Sequence, residues 1–415
     1  MIQLLYQVSI YGYSFLLKLI SPFHKKAQLW VKGRQNWEQA LREKLAQNNQ
    51  PVAWFHAASL GEFEQGRPVI ERFKKDYPDH FILLTFFSPS GYEIRKNYNQ
   101  ADYVCYLPAD TSYNAQTFIK ITKPAIAYFI KYEFWYNYLK ELRAIDAKII
   151  SFSAIFRENQ VFFKSYGHFY RNLLNYFDVI LVQNDRSKQL LDGIHLTSTI
   201  ISSGDTRFDR VSELPNESKD LPMIEKFVGN TPTLVVGSAW EEDMDIIIPV
   251  LNQLGDQLKV IIAPHEISSD KIESWRKQLQ LSSIKYSELE SVDVTANYLF
   301  IDNIGMLSSL YKYGVVAWIG GAYKTGLHNI LEAATYGMPV LFGNKKYQKF
   351  HEAVSLLELG GAHTIATSAE LLKRLEVYRD SPELLQKESQ IAKQFVQSHK
   401  GATQQVMDVT HQLLN

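Results

Sequence analysis

The chain has 415 residues, 46% of them hydrophobic, and its 44 Lys and Arg residues balance 44 Asp and Glu residues. Because the formal net charge is zero, the composition excludes a protein that tracks nucleic acid through its overall positive charge. The single cysteine, Cys105, excludes an internal disulfide, and no spacing of Cys and His indicates a zinc site. A chain of this length predicts two or three domains, each with its own core.

The segment 1–30 differs from the rest and predicts a membrane-associated helix. Residues 2–20 are mainly apolar and carry one charge, Lys18, and no basic region or small-residue cleavage site marks a removable signal peptide. Basic residues follow within 24–34, so the positive-inside rule predicts that these charges and the remaining chain stay on the cytoplasmic side of the membrane. The length is near the minimum for spanning, whereas polar residues within 2–20 favour a shallow interfacial anchor. A helix that packs on the protein itself is the alternative to both.

From about residue 50 onward, short apolar runs alternate with helix-length segments, a pattern that predicts parallel βαβ units. The predicted strands form two series, 52–59, 81–88, 101–108, 125–130, 147–154, 179–184 and 199–204, and then 233–239, 259–265, 298–302, 315–321 and 338–343. Prolines and polar residues between the two series indicate a linker. The sequence therefore predicts an α/β fold of two Rossmann-like domains facing a central cleft, divided as 1–30 (membrane-associated helix), 31–212 (first domain), 213–232 (linker), 233–395 (second domain) and 396–415 (final helix). In such folds ligands bind at the carboxyl ends of the strands.

The sequence HAASLGE, His56 to Glu62, follows the first predicted strand. Gly61 is expected to permit a tight turn, so that Glu62, near the start of a helix, projects over the strand ends. A carboxylate there suits a general base, which must reach the hydroxyl that it deprotonates. The alternative is an acidic residue that only stabilises the helix N-terminus. His56 by itself is better explained as a hydrogen-bonded core residue than as a catalyst.

Two further motifs follow strands of the first series. SPSG, Ser88 to Gly91, offers small residues and backbone N–H groups at a helix start, either as an anion site or as an ordinary helix cap. KYEFWYN, residues 131–137, predicts that Glu133 lies beside aromatic residues at the carboxyl end of a strand, where sites form. The alternative for Glu133 is an ion pair with Lys131 or with an arginine.

The segment Gly320 to Gly343 carries the strongest signal of the second series. A strand ends in two glycines, and a loop with Lys324 and Gly326 leads to Asn329 and to a helix with Glu332. Glycines allow close backbone approach, helix N-termini favour phosphate, and a carboxylate binds ribose hydroxyls, so the pattern indicates a nucleotide site. A purely structural glycine-rich turn is the alternative. Weaker signals, each of which also fits a solvated loop residue, are Ser238, His265 and Arg207.

Taken in order, these segments resemble the family of transferases for 3-deoxy-D-manno-octulosonic acid (Kdo) in lipopolysaccharide synthesis. The motif H-x-x-S-x-G-E of that family is matched by His56, Ser59, Gly61 and Glu62. Its P-[ST]-G turn is matched by Pro89, Ser90 and Gly91, and its E-x-W-x-N motif by Glu133, Trp135 and Asn137. Its G-G-H-N-x-L-E-A segment is matched by Gly326, His328, Asn329, Leu331, Glu332 and Ala333, after the pair Gly320 and Gly321. The resemblance covers nearly the whole chain.

The resemblance implies a glycosyltransferase with the GT-B fold that moves Kdo from CMP-Kdo to a lipid A precursor, with inversion and without a metal or other cofactor. It implies Glu62 as the general base and Glu133 as a support of the acceptor or donor pocket. On the acceptor side it implies His56, Ser59, Ser88, Ser90 and Gly91. Around CMP-Kdo it implies Arg207, Ser238, His265, Gly321, Lys324, Gly326, Asn329 and Glu332.

Two other functions compete with this one. The first is a GT-B transferase that uses another nucleotide sugar, such as a UDP-sugar. The second is a non-catalytic, membrane-tethered protein, either a two-lobed binding protein or a scaffold. An exported binding protein is disfavoured by the order of charges over residues 18–34. The expected partners are the lipid A precursor, CMP-Kdo and the membrane surface, with no nucleic acid.

Overall fold

The protein is described by a computed structural model over residues 2–291 and 295–415. Two compact units make up the chain: unit 1 is Met1–Arg210 with Lys400–Asn415, and unit 2 is Val211–His399. Each unit contains a seven-stranded sheet in which all strand pairs are parallel. Every strand that the sequence predicts is present, which confirms the α/β class and the two parallel sheets.

Unit 1 is built on a sheet of order β3-β2-β1-β4-β5-β6-β7. Its strands are β1 (Val52–Ala57), β2 (Phe81–Phe86), β3 (Tyr103–Tyr106), β4 (Pro124–Ile130), β5 (Lys148–Ala154), β6 (Val179–Val182) and β7 (Thr199–Ser202). The helices of its first segment are α1 (Ile2–Ile20), α2 (Lys25–Lys32), α3 (Trp37–Leu45), α4 (Leu60–Asp76), α5 (Pro89–Arg95), α6 (Ser112–Thr122), α7 (Tyr136–Ala144), α8 (His168–Leu174) and α9 (Asp185–Asp192). Helix α10 (Thr206–Glu217) leads into unit 2.

Unit 2 is built on a sheet of order β10-β11-β9-β8-β12-β13-β14. Its strands are β8 (Thr233–Ala239), β9 (Lys259–Pro264), β10 (Ser283–Lys285), β11 (Tyr298–Phe300), β12 (Val316–Ile319), β13 (Val340–Gly343) and β14 (Ala362–Ile365). Its helices are α11 (Pro222–Val228), α12 (Glu241–Leu254), α13 (Ser269–Gln278), α14 (Leu307–Leu310), α15 (Leu331–Ala334), α16 (His351–Leu359), α17 (Ser368–Asp380) and α18 (Pro382–Ser398). The chain then returns to unit 1 through α19 (Ala402–Leu414).

Both sheets have a topological switch point, where the strand order reverses beside the first strand of the unit. In unit 1, β1 lies between β2 and β4, so the loops that follow β1 and β4 diverge at the carboxyl edge of the sheet. In unit 2, β8 lies between β9 and β12 in the same manner. Open parallel sheets bind ligands at these points, because diverging loops leave a crevice there. The loops after β1, β4, β8 and β12 are therefore the candidate site loops.

The core of unit 1 lies on both faces of its sheet, as expected for parallel strands that read as continuous apolar runs. Along β1, Trp54 belongs to the apolar cluster on one face and Phe55 to the cluster on the other, because successive side chains alternate. Phe55 stacks on Tyr128 of β4 with ring centres 4.3 Å apart. Helix α19 completes this second cluster with Val406, Met407 and Val409. These rigid layers fix the strand ends on which the site is built.

Two parts of unit 2 differ from the sequence prediction. The stretch 213–232, expected to be a linker, holds the end of α10 and the whole of α11. Pro222 does not prevent this, because it occupies the first turn of α11, where its missing N–H costs no hydrogen bond. The strands β10 and β14 were not predicted. They are three and four residues long and lie at the sheet edges, where fewer apolar side chains are needed.

Helix α1 confirms the predicted amino-terminal helix, but its side chains are at most partly buried. Tyr6 Oη donates a hydrogen bond to Asp110 Oδ2 at 2.5 Å, and Gln7 Nε2 donates to Asn137 Oδ1 at 2.6 Å. These two bonds hold α1 against unit 1 beside the start of α7. Among residues 2–291 and 295–415, no helix combines the length and the apolarity that crossing a membrane requires.

Gly91 has a packing role that Gly61 lacks. A Cβ atom on Gly91 would lie 2.3 Å from Phe86 Cδ1 and 3.1 Å from the carbonyl carbon of Ser59, whereas a Cβ atom on Gly61 would meet nothing within 4 Å. Gly61 lies inside α4 and not in a tight turn, so that expectation is wrong, because the helix already begins at Leu60. Gly91 therefore lets α5 approach the loop after β1.

We expect Gly91→Ala to lower the free energy of unfolding by about 1–3 kcal/mol through overpacking. The matched variant Gly61→Ala is expected to stay within about 1 kcal/mol of the wild type, because Ala is the better helix former. Urea denaturation of both variants measures the difference. Equal stability of the two variants would contradict the assigned role of Gly91.

Candidate active site

Glu62 lies at the third position of α4, directly after β1. Its Oε2 atom accepts hydrogen bonds from the backbone N–H of Ala58 at 2.6 Å and of Ser59 at 3.2 Å. This is the carboxylate half of a capping box, so the alternative of a helix-stabilising acidic residue is structurally present. The second carboxylate oxygen makes no hydrogen bond within the described residues. Helix capping therefore leaves one oxygen of Glu62 available for chemistry.

Burial is the main reason that the pKa of Glu62 is raised, to about 8, and the nearby Glu133 carboxylate raises it further. The backbone N–H groups of Ala58 and Ser59 and the charge of Lys131 act in the opposite direction but are outweighed. At pH 7 the ionised form of Glu62 then costs on the order of 1 kcal/mol. A carboxylate with a pKa near the working pH is a good proton acceptor, because it is both strongly basic and ionised in part.

Glu133 follows β4 and lies across the switch point from β1. Its Oε2 atom accepts a hydrogen bond from Trp135 Nε1 at 2.6 Å and lies 3.3 Å from His56 Nε2. His56 is fully buried and Glu133 nearly so. A tryptophan and a histidine thus occupy the positions around Glu133 Oε2.

His56 has further polar neighbours. Thr85 Oγ1 lies 2.8 Å from His56 Nδ1 and accepts a hydrogen bond from Trp54 Nε1 at 2.8 Å. Trp135 Nε1 lies 3.2 Å from His56 Nε2. A buried polar chain thus runs from Trp54 to Glu133.

The motif with Ser88, Ser90 and Gly91 lies beside the Glu62 loop. Ser88 caps α5 by accepting a hydrogen bond from Ser90 N, and its own N–H donates to the Ala58 carbonyl at 2.7 Å. The ordinary cap, the alternative reading of this motif, is therefore present. The same bond joins the loops after β1 and β2, so Ser59, Ser88, Ser90 and Gly91 gather near Glu62.

In unit 2 the glycine-rich loop follows β12 and closes on itself. Gly326 N and Lys324 N both donate to the Gly321 carbonyl at 3.0 Å. Gly321 has a φ of +94° and Gly326 a φ of +129°, backbone conformations that residues other than glycine rarely adopt. A Cβ atom on Gly320 would lie 2.2 Å from the Ser238 carbonyl oxygen, so the loop after β12 needs glycine to approach the end of β8.

Asn329 and Glu332 lie together, as their spacing predicts. Asn329 Nδ2 donates to Glu332 Oε1 at 3.1 Å, and Asn329 Oδ1 accepts from Leu331 N at 3.1 Å. Asn329 therefore orients the Glu332 carboxylate and also binds the backbone N–H of Leu331, the first residue of the four-residue helix α15. Both side chains are half-buried, so they remain accessible to a ligand.

The remaining residues of unit 2 that the resemblance implies around the donor lie at the same sheet edge. Ser238, near the end of β8, adopts a left-handed conformation with φ +53°, a strained geometry that is common at functional sites. Lys324 is exposed and lies 3.5 Å from Glu242, with its ammonium 4.5 Å from the centre of the Trp240 ring. His265 follows β9 and stacks on Trp240. Unit 2 therefore brings Ser238, His265, Gly321, Lys324 and Gly326 to one edge.

Arg207 belongs to unit 1, whereas the other residues that the resemblance implies around the donor belong to unit 2. Its Nη2 atom lies 2.7 Å from Asp205 Oδ2, and Asp205 also accepts from Gln65 Nε2 at 3.2 Å. Asp205 is buried, and chiefly Arg207 lowers its pKa against the effect of burial. The guanidinium is thus held in place by a buried carboxylate.

The sequence analysis assigns no role to Asp243 or Trp240, and it includes His328 only as part of the matched motif. Asp243, fully buried in α12, accepts from Trp240 N at 3.0 Å, Gly321 N at 3.1 Å and Trp318 Nε1 at 3.2 Å. Trp240 donates from Nε1 to His328 Nε2 at 3.1 Å. The first turn of α12 is acidic, which hinted at Asp243, whereas the Trp240–His328 pair joins residues 88 positions apart and has no local signature.

Comparison with known proteins shows what this chain is similar to. The family model described as 3-deoxy-D-manno-octulosonic-acid transferase (kdotransferase) matches residues 35–210. A 3-deoxy-D-manno-octulosonic acid transferase from Chlamydophila psittaci is 27% identical over 80% of this chain and 78% of its own length. One from Aquifex aeolicus is 26% identical over 79% of this chain and 86% of its own length. The chain is thus similar to Kdo transferases over most of its length.

Solved structures support the fold of this protein. The UDP-GlcNAc 2-epimerase from Neisseria meningitidis aligns with a TM-score of 0.63 and 14% identity, over 88% of this chain and all of that chain. A glycosyltransferase from Rickettsia africae aligns with a TM-score of 0.58 and 12% identity, over 88% of this chain and 99% of that chain. At these identities the likeness concerns the fold alone, which is GT-B-like.

The raised pKa of Glu62 predicts the pH dependence of a reaction in which Glu62 is the base. Below a pKa of about 8 the carboxylate is protonated, so kcat/KM should fall by about tenfold per pH unit on the acidic side. Replacing Glu133 by Gln removes a repelling charge and should move this acidic limb to lower pH. Replacing Lys131 by Gln removes an attracting charge and should move it to higher pH.

The quantity to measure for the wild type and both variants is the pH at which kcat/KM falls on the acidic side, not the maximum value of kcat/KM. Opposite displacements in the two variants are the expected result. A limb that stays in place in both variants would show that Glu62 is not the titrating group.

Proposed function

We propose that this protein is a glycosyltransferase that moves Kdo from CMP-Kdo to the glucosamine disaccharide of a lipid A precursor such as lipid IVA. The similarity to Kdo transferases supports the transferred sugar. The observation that carries the proposed mechanism is the Glu62 carboxylate, which lies at the switch point of unit 1 with a pKa of about 8. Glu62 is the general base in this proposal.

In the proposed step, a hydroxyl of the acceptor gives its proton to the free oxygen of Glu62. The hydroxyl oxygen bonds to the anomeric carbon of Kdo, and the bond from that carbon to the phosphate oxygen breaks with its electron pair on CMP. Attack on the face opposite the leaving phosphate inverts the anomeric centre. Because the carbon develops oxocarbenium character, a positioned base contributes more than a strong nucleophile does.

Glu133 supports this step through charge. Its carboxylate, fixed by His56 and Trp135, keeps the proton affinity of Glu62 high. On the acceptor side we propose His56, Ser59, Ser88, Ser90 and Gly91, which gather around the Glu62 loop. His56 acts there by orienting Glu133, since it is fully buried.

The proposed donor site is the sheet edge of unit 2. The glycine-rich loop offers close backbone approach, and Asn329 and Glu332 offer an amide and a carboxylate for ribose hydroxyls. Departing CMP is a phosphate monoester anion, and cations such as Lys324 and Arg207 are able to neutralise it. We therefore propose a reaction without a metal or other cofactor, and expect EDTA to leave the rate unchanged.

We further propose that α1 associates with the cytoplasmic face of the inner membrane, where the lipid acceptor resides. The helix exposes many apolar side chains, which are Leu4, Leu5, Val8, Phe15, Leu16 and Leu19. Its hydrogen bonds go to Asp110 and to Asn137, which lies in α7, a helix that starts three residues after Glu133. Helix α1 therefore contacts the segment that follows Glu133.

A transfer assay with CMP-Kdo and a tetra-acylated lipid A precursor, read by product mass, tests the reaction. Glu62→Gln should lower the rate by about 10²–10⁴-fold, because the base is lost. Glutamine preserves the cap, since its carbonyl oxygen accepts from the same backbone N–H groups. The matched variant Glu71→Gln, on the same helix, removes only a half-exposed ion pair with Arg67 and should stay within about twofold of the wild type.

Undiminished turnover in Glu62→Gln would reject Glu62 as the base. If UDP displaced a fluorescent CMP analogue as well as CMP does, the donor would be another nucleotide sugar. Nucleotide binding without any transfer product would favour a non-catalytic binding protein.

Membrane association is tested by sedimentation with vesicles of phosphatidylethanolamine and phosphatidylglycerol. The double variant Leu16→Asp with Leu19→Asp should bind about tenfold or more weakly, because two apolar side chains no longer enter the lipid. Leu359→Asp, which alters a similarly exposed leucine of unit 2, is the control and should bind as the wild type does. Equal binding of all three proteins would exclude α1 as the anchor.

A further inference from the structure

Trp240 and His328 form a flat, hydrogen-bonded pair in unit 2. Trp240 Nε1 donates to His328 Nε2 at 3.1 Å. Their rings are inclined by only 11° with centres 6.5 Å apart, so they lie side by side in nearly one plane. Trp240 comes directly after β8, and His328 ends the glycine-rich loop after β12. The pair therefore joins the two strands of the switch point in this unit.

Three neighbours fix the position of this pair. The His265 ring stacks on Trp240 with centres 4.3 Å apart and on His328 with centres 4.4 Å apart, so it covers the junction of the two rings. Gly321 provides the space for His328, because a Cβ atom there would lie 2.6 Å from His328 Cδ2. Lys324 adds a positive charge 4.5 Å from the centre of the Trp240 ring.

The tautomer of His328 follows from this arrangement. Burial, with a smaller contribution from His265, lowers the pKa of His328 to about 4, so the ring is neutral at neutral pH. A neutral imidazole carries one proton, and Nε2 is occupied as the acceptor of the Trp240 N–H, so the proton is on Nδ1. Within the described residues this Nδ1–H donates to no protein atom, and His328 is half-exposed.

We propose that Trp240 is a positioning residue that holds His328 as a neutral Nδ1–H donor for an anionic oxygen of the nucleotide-sugar donor. This inference rests on the proposed function of the glycine-rich loop as the donor site. The anionic oxygen belongs either to the phosphate or to the sugar carboxylate of CMP-Kdo. Because the His328 ring already carries a proton on Nδ1 when it is neutral, it can donate a hydrogen bond to such an oxygen without first taking a proton from solvent.

Titration calorimetry with the full-length chain separates the two sources through three probes: CMP carries the phosphate, free Kdo carries the carboxylate, and cytidine carries neither. His328→Leu should weaken the binding of one anionic probe by about tenfold or more and leave cytidine unchanged, because a hydrogen bond to a charged group is lost. His328→Asn, which keeps an N–H donor near the position of Nδ1, should restore most of this loss.

Trp240→Phe keeps a stacking ring and removes only the N–H donor. Its affinity for the same probe should fall by about two- to fivefold, because only part of the His328 population then carries the proton on Nδ1. Long-range proton–nitrogen spectra of ¹⁵N-histidine-labelled protein, assigned through His328→Leu, should show the proton on Nδ1 in the wild type and a mixture of tautomers in Trp240→Phe.

A proton on Nε2 in the wild type, or an unchanged tautomer in Trp240→Phe, would overturn the role of Trp240. Equal weakening of CMP, Kdo and cytidine by His328→Leu would overturn the contact with an anion. A wild-type protein that binds neither CMP nor Kdo would instead refute the proposed donor site, and the tautomer measurement would still decide the geometry.

Discussion

The proximity of two carboxylates, Glu62 and Glu133, in a largely buried space is the constraint on which the organisation of unit 1 depends. The negative charge of Glu133 raises the proton affinity of Glu62, and each carboxylate is held by hydrogen-bond donors. Backbone N–H groups at the start of α4 hold Glu62, and the side chains of His56 and Trp135 hold Glu133. The buried His56 ring requires a partner of its own, which explains Thr85 in the otherwise apolar strand β2.

Unit 2 applies a related arrangement with a single buried carboxylate. Asp243 accepts three hydrogen bonds, and burial still raises its pKa to about 6. Two of its donors are the backbone N–H groups of Trp240 and Gly321, so one side chain fixes the loops after β8 and β12 together. In both units, a carboxylate in the first turn of a helix after the first strand sets the geometry of the switch point.

Much of this organisation follows from the sequence, because buried parallel strands read as apolar runs and ligand sites lie where those runs end. The pairing of Asn329 with Glu332 follows from helical spacing in the same way. Local patterns did not distinguish Gly61, which has open space around it, from Gly91, which has none. They also did not indicate a role for Thr85, because a β-branched residue is common in any strand. They did not indicate the Trp240–His328 pair either, because its two residues are distant in sequence and meet only in the folded chain.

The return of α19 to unit 1 has a consequence for the order in which the protein matures. Val406, Met407 and Val409 fill the same apolar cluster as Phe55, and the Tyr128 hydroxyl lies 2.7 Å from Thr410 Oγ1. A ribosome makes these residues only after the whole of Val211–His399 has emerged. The unit that is synthesised first therefore cannot close its core until the second has been translated. During that interval, a nascent chain bearing the exposed leucines of α1 also carries an unfinished apolar face, a state in which chaperones or the lipid surface have their best opportunity to bind it.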